Sequence, residues 1–229
     1  YNLRRNRLRN SLSMQNLTTK QLVFLREIGD SPFSLVALRS LFPVKEVWRV
    51  AARLVENGLL IRLKRDLFVL SPDLLGHPID RLLVANRLCS PSYVSREAAL
   101  AHYGLIPELV VNVTSSRLGR SVMFDTPIGG FHYAQVDAAT YAIGLREEAS
   151  ATSRFLCASP EKALYDLVVF RSQLNIRSRI EMQRFLFGDL RIDVSDRHFD
   201  GRIFDDLVSC GRKRRSIRIM KEVLCHGAI

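Results

Sequence analysis

The sequence predicts an α+β fold, with a small helical domain followed by a larger domain in which strands and helices are grouped separately. Three observations lead to this prediction. Apolar residues recur at helical spacing over residues 44–57, a pair of short strands follows at once, and the pattern over residues 109–136 changes to short strands separated by turn residues. The 229 residues are enough for two modest domains, each with its own core.

The first domain is expected over residues 17–72, and its order of elements is typical of a winged helix-turn-helix. A first helix is predicted from residue 18 or 19 to about Ile28, and a short helix over 33–41 leads into the turn Phe42-Pro43. Pro43 is placed at the start of the next helix, where proline is favoured. Strands over 59–61 and 67–70 then form a hairpin.

The helix over residues 44–57 has two chemically distinct faces. Its apolar stripe consists of Val47, Val50, Ala51 and Leu54, and its outward face is basic. A basic helix followed by a basic hairpin is suited to laying the helix in the major groove while the hairpin contacts phosphates. The candidate DNA-binding residues are Lys45, Trp48, Arg49 and Arg53 on the helix and Arg62, Lys64 and Arg65 on the hairpin. Trp48 can pack against a sugar or thymine methyl, or cover the seam with the preceding helix. Small helical domains of this type also bind proteins, which is the competing interpretation.

The second domain is expected over residues 76–229 as a small antiparallel sheet flanked by helices. Ser95 and Ser159 are predicted to cap helices, and the aromatic residues of this domain are assigned first to core packing and only second to a ligand pocket. The predicted strands cover residues 109–115, 121–125, 130–136 and 155–158, and the predicted helices cover residues 79–88, 95–103, 176–187, 203–210 and 214–224, with one more starting at 159–161.

The net charge of +11 is concentrated at the two ends of the chain. Residues 1–16 contain four arginines and no acid, and residues 211–229 contain six basic residues and one acid. We expect residues 1–16 to be a disordered basic arm. Blocks of this kind suit a polyanion such as DNA. The run at the start of the last helix is therefore a candidate auxiliary contact to the DNA backbone, comprising Arg212, Lys213, Arg214 and Arg215.

The composition excludes several classes of protein. The four cysteines include no C-x-x-C pair, which favours reduced thiols in the cytoplasm over a disulfide framework. No histidine is placed at metal-ligand spacing, so no metal and no cofactor are expected. No run of eighteen apolar residues is present, and no secretory signal is recognised, so a membrane location is not expected.

Several phrases of the second domain resemble the AbiEi-type antitoxins. They are Cys89-Ser90-Pro91-Ser92-Tyr93-Val94-Ser95, Ala98-Ala99-Leu100, Tyr103-Gly104-Leu105-Ile106-Pro107-Glu108, Thr126-Pro127, Gly130-Phe131-His132-Tyr133 and Ala158-Ser159-Pro160-Glu161-Lys162-Ala163-Leu164-Tyr165-Asp166. The resemblance covers about residues 18–190. Wings of that family often turn through a glycine, where this chain has Asp66, a residue that tolerates a positive φ.

The resemblance implies a bacterial transcriptional autorepressor that is also the antitoxin of a type IV toxin–antitoxin system. It implies binding to inverted repeats in the protein's own promoter, with self-association on DNA left open. It further implies a functional partner that is a nucleotidyltransferase-like toxin, with which no stable complex is expected. The alternative is a transcription factor whose second domain senses a ligand or oligomerises, without a toxin.

An enzymatic function is not expected. No G-x-S-x-G motif surrounds Ser92 or Ser95, so neither is predicted to be a nucleophile. A DNA-processing nuclease is a further alternative, but no acidic residue has a lysine two positions later. Glu161 is interpreted as a charge at a helix start and Asp166 as a surface acid. Gly129-Gly130 lacks the residues of a phosphate-binding loop.

Overall fold

The computed structural model describes residues 19–40, 42–195 and 198–226, which form two compact units. Unit 1 contains the described residues up to Leu88 together with the short segments Thr126–Ile128 and Ser150–Ser153, and unit 2 contains the remainder. The domain boundary was expected between residues 72 and 76. Unit 1 instead extends to Leu88 and includes the helix over residues 81–88. The basic arm predicted at residues 1–16 lies outside the described residues.

Unit 1 begins with helices α1 (Thr19–Ile28) and α2 (Leu35–Leu38). Helix α2 is shorter than predicted because Phe33 is held in a β-bridge: its N–H and its carbonyl each bond to the backbone of Phe68 at 2.9 Å. The Ser34 side chain then caps α2 by accepting a hydrogen bond from the Val36 N–H. Of the residues predicted for this helix, 33–41, the helix therefore covers only Leu35–Leu38.

Helix α3 (Val47–Glu56) begins three residues later than predicted. The Glu46 N–H donates to the Pro43 carbonyl at 2.8 Å, so Pro43 starts a turn before the helix and not the helix itself. The helix ends as expected, with Gly58 in the left-handed region at φ 71°. Asn57 keeps a right-handed backbone.

Strands β1 (Leu60–Lys64) and β2 (Leu67–Leu70) form an antiparallel hairpin. Asp66 occupies its turn at φ 60°, and its Oδ1 accepts a hydrogen bond from the Leu35 N–H at 2.9 Å. Asp66 therefore adopts the turn conformation that glycine adopts readily, and it also satisfies a free donor at the start of α2.

Two further helices follow the hairpin, α4 (Pro72–Leu75) and α5 (Arg81–Leu88). Asp80 precedes α5, and its Oδ1 accepts hydrogen bonds from two N–H groups of the first turn while its Oδ2 accepts from the Ser150 hydroxyl at 2.6 Å. The core of unit 1 lies between the helices and the hairpin. Its buried apolar residues are Leu25, Phe33, Leu35, Leu38, Val47, Ala51, Leu54, Leu59, Leu60, Phe68, Leu70 and Leu74.

Unit 2 is built on a six-stranded mixed sheet with the strand order β5-β6-β4-β3-β8-β7. Its strands are β3 (Ser92–Val94), β4 (Val113–Arg117), β5 (Val122–Thr126), β6 (Gly129–Gln135), β7 (Leu145–Ala149) and β8 (Arg154–Ala158). The pairs β3–β4 and β7–β8 are antiparallel, whereas β4–β6 and β3–β8 are parallel.

The prediction of a small antiparallel sheet in this domain is wrong. Two strands were missed: β3 has only three residues, and β7 reads Leu-Arg-Glu-Glu-Ala, which lacks the expected strand composition. Both are stabilised by pairing to β8, a contact that is distant in sequence for β3.

Helix α8 (Pro160–Phe170) is central to unit 2. It starts as predicted, with Pro160 in the first turn and the Ser159 hydroxyl accepting from the Lys162 N–H. Every residue from Pro160 to Val168 is buried, so this helix has no solvent-facing side over that length. The other helices are α6 (Arg96–His102), α7 (Ala138–Tyr141), α9 (Arg179–Gln183), which continues as a π-helix over Arg184–Asp189, α10 (Gly201–Cys210) and α11 (Arg214–His226).

Within the described ranges, no helix combines the length and the apolar character needed to cross a bilayer. All four cysteines are free thiols. Cys89 and Cys157 are buried, Cys225 is partly buried and Cys210 is exposed.

Candidate functional site

The outward face of α3 and the turn before it form a basic surface in unit 1. Val47, Ala51 and Leu54 are buried on the inner side of the helix. The four helix residues predicted to contact DNA are exposed, namely Lys45, Trp48, Arg49 and Arg53. Trp48 is 53% exposed, so it lies on this surface and is not sealed into the seam with α2.

The three hairpin candidates differ in their surroundings. Arg62 and Arg65 are exposed, and the Arg62 Nε makes only a long hydrogen bond to the Lys64 carbonyl at 3.4 Å. The Lys64 ammonium donates to the Leu88 carbonyl at 2.6 Å, at the end of α5. Lys64 is thus tethered to the C-terminus of a helix, whose partial negative charge favours a cation. Arg62 and Arg65 remain the hairpin residues that present their charge outward.

The basic run before α11 is largely engaged within unit 2. The Arg212 guanidinium pairs with Asp137 at 2.7 Å. The Lys213 ammonium donates to the carbonyls of Val168, Arg171 and Leu174, at distances between 2.7 and 2.9 Å. Burial lowers the pKa of Lys213, and the lysine caps the end of α8. Lys213 therefore has a structural role instead of the predicted contact to DNA.

The two remaining arginines of the run are exposed and also bond to carbonyls. Arg214 donates to Gly211 and Ser209, and Arg215 donates to Arg177 at 3.0 Å. The auxiliary DNA contact therefore remains a prediction for these two side chains and for Arg212.

A buried ion pair lies at the centre of unit 2. The Lys162 ammonium is 2.9 Å from Asp166 Oδ1, and the two side chains are 0% and 1% exposed. The ammonium also donates to the Thr140 carbonyl at 2.8 Å and faces the rings of Tyr93 and Tyr165. The residues are four apart in α8, which places their side chains on the same face.

Three hydroxyl groups complete the surroundings of Asp166. The Oδ2 atom accepts from the Tyr93 hydroxyl at 2.8 Å, the Ser95 hydroxyl at 2.8 Å and the Ser116 hydroxyl at 3.2 Å. Burial and the neighbouring Asp166 carboxylate raise the pKa of Tyr93. Tyr93 therefore remains protonated and donates to the carboxylate.

Two predictions for these residues are wrong. Asp166 is a fully buried acid and not a surface acid, because its charge is balanced by Lys162 and by hydroxyl donors. Ser95 precedes α6 as expected but makes no side-chain cap, since its hydroxyl is used by Asp166. Glu161 does lie at the start of α8, where its carboxylate accepts from the Asp200 N–H at 2.8 Å and is itself buried.

Arg96 is a second buried charge, and sequence reasoning missed it entirely. The residue is 3% exposed, and its backbone is left-handed at φ 55°. Its Nη2 donates to the carbonyls of Ser115 at 2.9 Å and His132 at 3.1 Å, and its guanidinium stacks 4.4 Å from the Phe170 ring centre. Burial lowers its pKa against the opposing effect of nearby acids.

Two cavities in unit 2 meet at Arg96. The smaller cavity has a volume of about 350 Å³, and its wall includes Asp166, Ser116 and Gln135. The larger has a volume of about 760 Å³ and is lined mainly by apolar side chains, among them Leu109 and Met123. Of the aromatic residues of this domain, Phe131 and Tyr133 are both buried as expected, and Tyr133 also lines the larger cavity.

Comparison with protein-family models gives no match for this chain, and comparison with curated proteins gives none either. Over the described residues, no three His, Cys, Asp or Glu side chains are grouped closely enough to hold a metal ion.

Proposed function

We propose that the protein is a DNA-binding transcriptional autorepressor in which unit 1 acts as a winged helix-turn-helix. In this proposal α3 is the recognition helix that enters the major groove, and the β1–β2 hairpin is the wing that contacts phosphates. The observation that carries the proposal is the exposed basic surface on α3, formed by a helix whose opposite face is buried. Exposed cations on one helix face form the electrostatic footprint of a nucleic-acid-binding domain.

The geometry of the surface supports separate roles for its residues. Arg49 and Arg53 are four apart on α3 and so project from one face, suited to base edges and nearby phosphates. Trp48 lies beside them with more than half of its surface exposed. Arg62 and Arg65 on the hairpin are suited to the phosphate backbone on either side.

The second part of the proposal, an antitoxin that acts against a nucleotidyltransferase-like toxin, rests on the motif resemblance. The Ser159-to-Asp166 phrase that contributes to the resemblance forms the start of α8, and it supplies both members of the buried ion pair. Under this proposal the protein binds inverted repeats upstream of its own gene and neutralises the toxin without a stable complex.

DNA binding is tested by fluorescence anisotropy of the full chain on DNA from upstream of its gene and on shuffled DNA, across a salt series. We expect a preference for the upstream DNA. Arg49→Ala should reduce that preference at a cost of about 1–3 kcal/mol. Arg87→Ala is the matched control, because Arg87 is an exposed arginine of unit 1 outside the α3 face. Equal weakening on both DNAs for Arg49→Ala would contradict the base-reading role.

The salt series separates the two hairpin cations. Arg65→Ala should make the log–log dependence of affinity on salt shallower by about one unit, because one phosphate contact is lost. Lys64→Ala should change this slope less, since its ammonium is bound to the Leu88 carbonyl. The reverse order would assign Lys64 to the DNA.

The antitoxin role is tested in cells by co-expressing the full chain with the product of the adjacent gene. We expect growth to be restored by the wild type and also by Arg49→Ala, whose substitution affects only the DNA surface. Failure of both proteins to restore growth would overturn the antitoxin role and leave the DNA-binding proposal intact.

A further inference from the structure

The charge on Arg96 has no carboxylate partner among the described residues. Its side-chain contacts are two carbonyl oxygens and the face of Phe170, and its Nε has no hydrogen-bond partner. Glu97 and Asp166 favour its charged form from a distance, but neither forms an ion pair with it within 4.0 Å. Burying a guanidinium on neutral acceptors alone is unfavourable, so this site retains an unbalanced positive charge.

The other charged groups around the smaller cavity are already paired. Asp137 pairs with Arg212, and Asp166 pairs with Lys162 behind the wall. Glu97, which adjoins Arg96 in sequence and lines the larger cavity, pairs with Arg171 at 3.4 Å. Each pair is neutral in itself, and among the described residues lining the smaller cavity Arg96 is the cation without a carboxylate partner.

The cavity wall offers groups that can bind the polar part of a ligand. Ser116, Gln135, Thr140 and Tyr165 lie along it, and Phe170 supplies an apolar surface beside the guanidinium. A volume of about 350 Å³ lies at the small end of the range of ligand pockets. The left-handed backbone at Arg96 is uncommon for a non-glycine residue, and the side chain lies in the interior.

We propose that the cavity beside Arg96 binds a small organic anion, whose carboxylate or phosphate group pairs with the Arg96 guanidinium. Guanidinium groups bind both anions through charge-assisted N–H donors, and the burial of the Arg96 side chain strengthens such an interaction. Binding would balance the charge of Arg96. This anion site does not depend on DNA binding by unit 1, and it makes unit 2 a ligand-binding domain.

The test is isothermal titration calorimetry of the full chain with two probes, inorganic phosphate and acetate, each at constant ionic strength against chloride. We expect saturable binding of at least one probe. Arg96→Gln should weaken it by about tenfold or more, because one charge-assisted contact is lost. Arg218→Gln removes the same charge from an exposed arginine of α11 that does not line the cavity, and it should bind as the wild type does.

A second variant tests the cavity without altering a buried residue. Gln135 is exposed at the wall, so Gln135→Glu adds a negative charge there without changing side-chain size, and it should weaken binding. Gln183→Glu, on α9, is its control. Phosphate binding without acetate binding assigns a phosphate ligand, and the reverse assigns a carboxylate.

Two results would overturn the proposal. One is heat no different from that of chloride for both probes. The other is wild-type affinity in Gln135→Glu together with wild-type affinity in a folded Arg96→Gln variant, with folding checked by circular dichroism. If Arg96→Gln does not fold, Gln135→Glu alone decides the outcome.

Discussion

Removing the carboxylate of Asp166 should destabilise the protein more than removing any exposed acid. In Asp166→Ala the Lys162 ammonium keeps only the Thr140 carbonyl, at 2.8 Å, and the faces of two aromatic rings. Breaking a buried ion pair from one side costs about 3–5 kcal/mol, because the remaining charge is left uncompensated. The hydroxyls of Tyr93, Ser95 and Ser116 lose their acceptor as well, which places the expected cost at the upper end of that range.

Removing the ammonium instead, in Lys162→Met, should lower the free energy of unfolding by less than Asp166→Ala does. In Lys162→Met the carboxylate keeps its three hydroxyl donors, so its charge remains partly satisfied. The double variant Lys162→Met/Asp166→Ala should lose less free energy of unfolding than the two single variants together. Each single change leaves one buried charge unpaired, and the other change removes that charge. This asymmetry follows directly from the unequal hydrogen bonding of the two charges.

Urea unfolding followed by circular dichroism measures these differences. Asp137→Ala is the matched control, because Asp137 forms an ion pair of similar length with Arg212 in which the side chains are 40% and 68% exposed. Its loss should cost less than about 1 kcal/mol. Equal losses of stability in Asp166→Ala and Asp137→Ala would contradict this expectation, and so would a larger loss in Lys162→Met than in Asp166→Ala.

Three further predictions concern other parts of the fold. Asp66→Gly should lower the free energy of unfolding by about 1 kcal/mol, because the Leu35 N–H loses its acceptor. Asp66→Ala should lower it by about 1–2 kcal/mol more, because alanine disfavours the left-handed turn. Urea unfolding of both variants checks this order. The pKa of Asp80 is lowered overall, since burial raises it but the hydrogen bonds from two serines and two backbone N–H groups outweigh burial. Its contribution is therefore present above about pH 4 and lost as the pH falls through the folded pKa, so the stability gap between wild type and Asp80→Asn should narrow in acid; equal gaps at acidic and neutral pH would contradict this. The exposed Cys210 should react with a thiol reagent in the folded protein. Cys157 should react only on unfolding, because burial raises its pKa to about 12. The Cys210→Ser variant should therefore lose the rapid reaction that the folded wild type shows.

The parts of the fold that the sequence predicts well are those specified by local signals. Helix α8 begins where Ser159 and Pro160 place it, and the turn of the hairpin accepts Asp66 at a positive φ. The apolar stripe of α3 correctly identified its buried face. Each of these features depends on residues within a few positions of one another.

The features that sequence reasoning missed depend on contacts between distant positions. Phe33 leaves the predicted helix because it pairs with Phe68, and β3 exists because of its neighbours in the sheet. Asp166 was assigned to the surface because its three hydroxyl donors lie 50 to 73 residues away along the chain. Its i, i+4 spacing to Lys162 was the one local signal that could have indicated a pair.

Arg96 gave no usable signal at all. A single arginine at the start of a predicted helix is most simply interpreted as exposed, and nothing near it in sequence indicates a left-handed backbone. Its burial results from packing against Phe170 and from carbonyls on two strands.

The composition of unit 1 has a consequence for the order in which the protein is synthesised. Its helices and hairpin are complete by Leu88, yet the segment Ser150–Ser153 also belongs to this unit and supplies hydroxyl donors to Asp80. The residues of α3 therefore leave the ribosome before the segment that finishes unit 1 has been made, although domains generally fold as units. Until residue 153 has left the ribosome, the Asp80 Oδ2 atom lacks both of its serine donors. Two ribosome-stalled chains, one with residue 153 still inside the ribosome and one with it just outside, should therefore differ in the hydrogen-exchange protection of the N–H groups of α5.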